Sequence, residues 1–182
     1  SFGALSREAR MALSIGAAQT GILNNTGEGG LLKDETWLIK GYENEERTLR
    51  RWEPGGYLVV QWSTGRWGVS VDYIRAGDGV EIKIGQGAKP GMGGHLLGAK
   101  VTEEIAAVRG IPVGSDALSP CRYYDVQDLE DMKRMVAFIR DVTDYKVPIF
   151  FKLGPSRPYE DIKACVEAGA DAISIDGLAG GT

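Results

Sequence analysis

The chain has 182 residues, of which 43% are hydrophobic and 25% are charged, and its formal net charge is -4. This composition is typical of a folded globular protein and excludes a collagen, a coiled coil and a disordered tail. The sequence has no run of about 18 apolar residues, no signal-peptide pattern and no basic face, so we expect no membrane span, no secretion and no nucleic-acid binding. The two cysteines, Cys121 and Cys165, lack zinc-site spacing. This favours reduced thiols and a cytoplasmic location.

Glycine accounts for 26 of the 182 residues, about twice the usual share of roughly 7%. Most of the excess lies in three clusters, at 27–30, 85–94 and 177–181. Clustered glycines mark loops whose backbone takes unusual dihedral angles or approaches a ligand closely. Because apolar segments separate the clusters, they are interpreted as loops within a fold rather than as linkers.

In chain order, the sequence alternates short apolar strands with helices. The first helix, over 6–20, has Ser6 as its N-cap and ends at Gly21. A strand at 22–25 and a polar, irregular excursion at 33–56 follow it. The remaining predicted elements are a strand at 57–62, a short helix at 69–75, a strand at 80–84, helices at 102–109 and 125–142, a strand at 147–152, a helix at 159–167 and a strand at 172–176.

The alternation of strand, glycine-rich loop and helix predicts an α/β fold with a parallel sheet. In such folds the ligand lies at the carboxyl ends of the strands, where this sequence places its polar and glycine residues. A complete (β/α)8 barrel needs about 250 residues, and about five strands are counted here. We therefore expect residues 1–182 to be an incomplete (β/α)8 barrel domain, truncated at both ends.

The segment 81–95, EIKIGQGAKPGMGGH, carries the main concentration of reactive side chains. Glu81 and Lys83 share one face of the strand, and Gln86 and Lys89 follow on the loop. Two lysines and an amide suit an anionic, planar or carboxylate-bearing partner. A structural loop with solvated lysines is the alternative, but an unpaired ammonium inside a barrel is costly, which favours a functional Lys83.

Six stretches of the chain resemble the flavin-binding synthase domain of the glutamate synthase family. They run in family order and cover most of the chain. The stretches are SFGALSREA at 1–9, NTGEGG at 25–30, QWSTGRWGV at 61–69, EIKIGQGAKPGMGGHLLGAKV at 81–101, SP at 119–120 with DVQDLEDM at 125–132, and IDGLAGGT at 175–182. The resemblance implies a (β/α)8 barrel that holds FMN.

The resemblance also implies roles for individual residues. Lys83 and Gln86 match catalytic positions beside the flavin and the 2-oxo acid, and Lys89 and Arg109 match positions that bind the substrate. Glu28 could instead cap its own loop amides. The implied cofactor-binding set is Glu28, Gln61, Lys83, Lys152, Gly180, Gly181 and Thr182.

Some residues depart from the usual family pattern. His95 stands where relatives usually have a substrate-contacting glutamine, and it is either a substrate-binding residue or a loop histidine bonded to backbone. Cys121, Tyr123 and Tyr124 replace a Pro/His-rich stretch, and Ala179 replaces an acidic residue. These departures resemble the shorter archaeal-type branch, which includes subunits of N-methylglutamate synthase.

The resemblance implies an oxidoreductase of nitrogen metabolism that reduces the imine of 2-oxoglutarate and ammonia to L-glutamate. The alternatives are N-methylglutamate synthesis, a non-catalytic FMN-binding scaffold, and a different flavin barrel that acts on another 2-oxo or hydroxy acid. Expected partners are a glutaminase and an electron donor, as subunits or domains. An iron–sulfur cluster is expected in the parent protein but not on Cys121 or Cys165, and no metal site is expected in this chain.

Overall fold

The computed structural model describes residues 1–32, 34–35 and 56–180, and the excursion expected at 33–56 lies almost wholly outside them. The described chain alternates strands with helices, as the sequence predicts. The helices are α1 (Arg7–Thr20), α2 (Val71–Ala76), α3 (Glu103–Arg109), α4 (Leu129–Val142) and α5 (Pro158–Ala168). The strands are β1 (Leu23–Asn25), β2 (Tyr57–Trp62), β3 (Gly79–Lys83), β4 (His95–Leu96), β5 (Ala117–Leu118), β6 (Ile149–Leu153) and β7 (Ala172–Ile175).

Five of these strands form one parallel sheet in the order β1-β2-β3-β6-β7. This is the fold predicted from the sequence, an α/β unit that makes part of a (β/α)8 barrel. Helices connect most of the neighbouring strands, because a parallel crossover requires a long connection. The carboxyl ends of the strands therefore meet at one edge of the sheet, which is where the glycine-rich loops follow.

The two faces of the sheet differ in chemistry because successive side chains alternate between them. On one face, apolar strand residues are fully buried with residues of α2, α4 and α5. On the other face, the register places Gln61 beside Glu81 and Lys83 beside Lys152. Burial of each aliphatic side chain contributes about 1.5–3 kcal/mol to the free energy of folding, so the apolar face packs the sheet against the helices. The side chains of the polar face are not needed for this packing.

The helix ends follow local sequence signals. Ser6, Thr102 and Asp128 each accept a hydrogen bond from a backbone N–H in the first turn of α1, α3 and α4. Gly21 and Gly110 end α1 and α3 in the left-handed conformation that glycine adopts without strain. These signals place the ends of the helices, and with them the loops of the site.

Two features were not predicted. Strands β4 and β5 form a small antiparallel pair, joined by a connection that contains a 3-10 turn (Gly98–Lys100) and α3. A second apolar cluster, which includes Phe2, Leu96 and Ile105, packs this pair and α3 against the start of the chain. No helix among the described residues is long and apolar enough to cross a bilayer.

Candidate functional site

A cavity of about 430 Å³ lies at the carboxyl edge of the sheet, between the loops that follow β1, β2, β3 and β6. We call it the central cavity. Its volume falls within the range of roughly 300–1,000 Å³ that is usual for small-molecule sites. Eight residues with a role implied by the sequence line it: Glu28, Gln61, Lys83, Gln86, Lys89, His95, Arg109 and Lys152.

Lys83 and Glu28 form the ion pair of the central cavity. Lys83 Nζ lies 3.3 Å from Glu28 Oε2, and both side chains are largely buried. Glu28 Oε1 also accepts hydrogen bonds from the Ser119 hydroxyl at 2.6 Å and from the Gly65 backbone N–H at 3.2 Å. Within the described part of the chain, the Glu28 carboxylate therefore accepts from Gly65 and Ser119 rather than from the amides of its own loop. It connects three other segments and supplies the partner that an ammonium inside a barrel requires.

Gln61 offers an unused acceptor to the central cavity. Its Nε2 donates to Glu81 Oε1 at 2.6 Å, which fixes the amide plane. Its Oε1 is buried and has no hydrogen-bond partner among the described residues. A buried acceptor without a partner costs about 1–3 kcal/mol, and a ligand that donates a hydrogen bond here removes that cost.

Lys152 is held by a second carboxylate. Its Nζ lies 3.3 Å from Asp176 Oδ2, which also accepts a hydrogen bond from the Gly87 backbone N–H. Gly180 packs against Asp176, where a Cβ atom would lie 2.6 Å from Cγ. Gly180 is not among the residues that line the central cavity, whereas Gly181 and Thr182 lie outside the described residues.

The loop after β3 forms part of the wall of the central cavity. Gln86 is buried and lines the central cavity, and Lys89 lines it from a half-buried position. His95 begins β4, and its Nε2 lies 3.0 Å from Asp116 Oδ2, so this histidine is bonded to a side chain rather than to backbone. The Gly98 backbone N–H and the His95 side chain together hold the pKa of the Asp116 carboxyl below its ordinary value.

Arg109 ends α3 and is only 4% exposed. Its Nη2 donates to the carbonyl of Phe2 at 2.8 Å and to that of Glu28 at 3.5 Å, and the guanidinium lies 4.9 Å from the ring centroid of Trp67. Burial lowers the pKa of Arg109, and the charge of Glu28 opposes that shift. Arg109 thus lines the cavity, and its hydrogen bonds join the start of the chain to the loop that carries Glu28.

Sequence reasoning missed several residues of the site. Lys100 and Trp67 line the central cavity, Ser119 holds Glu28, and the hydroxyl of Tyr123 donates to the carbonyls at the ends of β2 and β3. Of these residues, only Lys100 has a feature that is visible in the sequence. It is a second lysine, after Lys89, and it follows the glycine-rich loop closely.

The electrostatic character of the central cavity is cationic. Its described lining contains five cationic side chains and one carboxylate: Lys83, Lys89, Lys100, Arg109 and Lys152 against Glu28. Lys83 and Lys152 have carboxylate partners, whereas Lys89 and Lys100 have none among the described residues. The surplus positive charge favours an anionic ligand.

A second cavity, of about 500 Å³, lies between the sheet and α4 and α5, and we call it the side cavity. Its described lining contains no Lys or Arg, and it includes Cys121 and Cys165. Both cysteines are free, and burial raises the pKa of the Cys165 thiol. The side cavity therefore lacks, in its described lining, the cationic side chains that favour an anionic ligand in the central cavity.

Comparison with known protein families identifies the family of this chain. The model of a family described as a conserved region in glutamate synthase matches residues 1–182. The chain belongs to the glutamate synthase family, as the resemblance of its motifs indicated.

Individual relatives agree with this assignment. Over its whole length the chain is 45% identical to an archaeal-type glutamate synthase [NADPH] of Thermotoga maritima and 43% identical to the archaeal glutamate synthase [NADPH] of Archaeoglobus fulgidus, and it covers 33% of each. It is 38% identical to a glutamate synthase large subunit-like protein of Rhizobium meliloti, of which it covers 38%. The chain thus spans about a third of the length of these curated relatives.

Proposed function

We propose that this chain is the part of a glutamate synthase that holds FMN and 2-oxoglutarate, in a protein that makes L-glutamate from 2-oxoglutarate and ammonia. The observation that carries the proposal is the central cavity, with five cationic side chains and one carboxylate at the carboxyl edge of a parallel sheet. Both ligands are anions, and this edge is the ligand-binding edge of barrel folds. Family membership supports the same reaction.

The residues present fit a flavin. Gln61 Oε1 is a buried acceptor without a partner among the described residues, and the flavin ring carries an N–H donor that suits it. Lys83 and Lys152 bring two ammonium groups to adjacent positions, which suits a ring that gains negative charge on reduction. When bound, FMN would supply the hydride that reduces the imine formed from 2-oxoglutarate and ammonia.

The chain's own residues divide the remaining work. Lys89 and Lys100 attract and orient the carboxylates of the 2-oxo acid, because neither is paired with a carboxylate among the described residues. Arg109 adds positive charge to the lining of the central cavity. It also donates a hydrogen bond to the Glu28 carbonyl, which holds the loop that carries Glu28. Gln86, buried between the central and side cavities, fixes the position of the reacting carbon.

The electron source and the ammonia source would act on the complete protein, of which this chain is one part. Some relatives are named as NADPH-dependent, which makes NADPH the electron source to test first. A glutaminase subunit or domain would deliver ammonia, and an iron–sulfur cluster in the parent protein would carry electrons. Neither Cys121, which is exposed, nor Cys165, which is buried in the core, is proposed as a ligand of that cluster.

Anaerobic spectroscopy of the complete protein tests the proposal. The flavin absorbance should be bleached by dithionite or NADPH and restored only when 2-oxoglutarate and ammonia are added together, with formation of L-glutamate. Absence of flavin, or bleaching without substrate-dependent recovery, would contradict the proposal, and the second result would favour a scaffold. Formation of N-methylglutamate with methylamine, and no glutamate with ammonia, would favour the sibling activity.

A further inference from the structure

The Ser119 hydroxyl connects the ion pair of the central cavity to the strand that carries His95. Its Oγ lies 2.6 Å from Glu28 Oε1 across 91 residues of sequence, and the Gly94 backbone N–H donates to the same Oγ at 3.0 Å. The backbone N–H of Ser119 donates in turn to the Gly94 carbonyl. Gly94, directly before β4, and Ser119, directly after β5, therefore donate hydrogen bonds to each other.

The direction of these hydrogen bonds is fixed by chemistry. The Gly94 N–H can only donate and the Glu28 carboxylate can only accept, so the Ser119 hydroxyl must accept from the first and donate to the second. Glu28 then has one oxygen held by Ser119 and Gly65, and the other oxygen faces Lys83 Nζ. Bonds from donors to an ionised acceptor are shorter and stronger than bonds between neutral groups.

The backbone around Ser119 is built for this contact. A Cβ atom at Gly93 would lie 2.2 Å from the Ser119 Cβ, so only glycine allows the loop after β3 to pass this closely. The close approach places Gly94 where its N–H reaches the hydroxyl.

We infer that Ser119 is a positioning residue for FMN binding, because it fixes the Glu28 carboxylate in the orientation that pairs with Lys83. This inference rests on the proposed function and assigns a role to a residue that touches neither FMN nor substrate in it. Without the hydroxyl, Glu28 keeps only the longer bond from Gly65 on that oxygen, and Lys83 loses its fixed partner. The cavity wall against which FMN binds is then less ordered before binding.

The experiment measures the FMN dissociation constant of the complete protein by flavin fluorescence. The variants are Ser119→Ala, the near-isosteric Ser119→Cys, Glu28→Gln, and the double variant Ser119→Ala with Glu28→Gln. Ser119→Ala should weaken FMN binding about tenfold in the native background and less than about twofold in the Glu28→Gln background. Ser119→Cys should also weaken binding, because a thiol fills the space but is a weak donor.

The control variant is Ser115→Ala, a serine on the other side of β5 that does not line the central cavity, and it should bind FMN as the unaltered protein does. Equal affinity of Ser119→Cys and the unaltered protein would overturn the inference and leave only a packing role. An equal loss in both Glu28 backgrounds would also overturn it, since Ser119 would then act without Glu28. Failure of the unaltered protein to bind FMN would instead remove the proposed function, and the inference with it.

Discussion

Lys83 and Lys152 are direct neighbours in the parallel register of β3 and β6, and each is neutralised by a different carboxylate. Glu28 reaches Lys83 from the loop after β1, and Asp176 reaches Lys152 from the end of β7. Two ammonium groups on adjacent strands repel each other unless counter-charges are present. The two ion pairs thus keep both cations at one edge of the sheet, where a ligand can meet them together.

Removal of one member of the buried pair should destabilise the protein. Lys83→Met leaves the Glu28 carboxylate without its cation, and we expect the free energy of unfolding to fall by about 1–3 kcal/mol, as measured by urea denaturation. The double variant Lys83→Met with Glu28→Gln should recover part of this loss. The matched control is Lys133→Met, which breaks an exposed pair with Glu130 and should change stability by less than about 1 kcal/mol. Equal effects of the two lysine variants would contradict a buried, structured pair.

The hydroxyl of Tyr123 holds the ends of β2 and β3 together. It is buried and donates toward the carbonyl oxygens of Trp62 at 2.7 Å and Lys83 at 3.0 Å. Burial raises the pKa of Tyr123, so the hydroxyl keeps its proton over the working pH range. Tyr123→Phe should lower the free energy of unfolding by about 1–2 kcal/mol. Tyr159→Phe, at an exposed position, should change it by less than about 0.5 kcal/mol, and a similar loss for both variants would count against this role.

Two glycines of the loop after β3 should respond differently to substitution. A Cβ atom at Gly87 would lie 1.9 Å from the Gly177 carbonyl oxygen, whereas nothing lies within 4 Å of one at Gly85. Gly87→Ala should separate the loops after β3 and β7, cost about 1–3 kcal/mol of stability and weaken FMN binding. Gly85→Ala should leave both properties nearly unchanged. Calorimetry and flavin titration of the two variants measure this, and a tolerated Gly87→Ala would show that the loops need not meet.

Asp116 should give the β4 region a dependence on acid pH. The Gly98 N–H and His95 lower the folded-state pKa of Asp116 below its ordinary 3.8, so the carboxylate stabilises the folded state above that value. This contribution is lost as the pH falls through the lowered, folded-state pKa. The unaltered protein should therefore be more stable than Asp116→Asn at about pH 6, and the difference should vanish well below about pH 3. Asp144→Asn, at an exposed carboxylate, is the control, and a constant difference at every pH would refute the linkage.

The sequence predicted the parallel sheet well because its signals are local. The strand at 57–62 and the helix ended by Gly21 are where periodicity and capping placed them. The helix predicted from residue 125 begins at Leu129 instead, because Asp128 is its N-cap and Asp125 is bonded to Arg66. That bond spans 59 residues, which no local pattern can show.

The sequence predicted which residues line the site better than it predicted the contacts between them. Sequence motifs named eight lining residues of the central cavity, Glu28 among them, but not the pairing of Glu28 with Lys83 across 55 residues. Strands β4 and β5 have two residues each, too few for a period to be visible. Hence the pairing of His95 with Asp116 and the bond from Ser119 to Glu28 followed only from the folded chain.

Binding of FMN in the central cavity is tested most directly by a crystal structure of the complete protein purified with its own cofactor. We predict electron density for FMN in the central cavity, with Gln61 Oε1 and Lys83 in contact with the flavin ring. Density for the flavin elsewhere, with Gln61 and Lys83 facing solvent or protein alone, would contradict it.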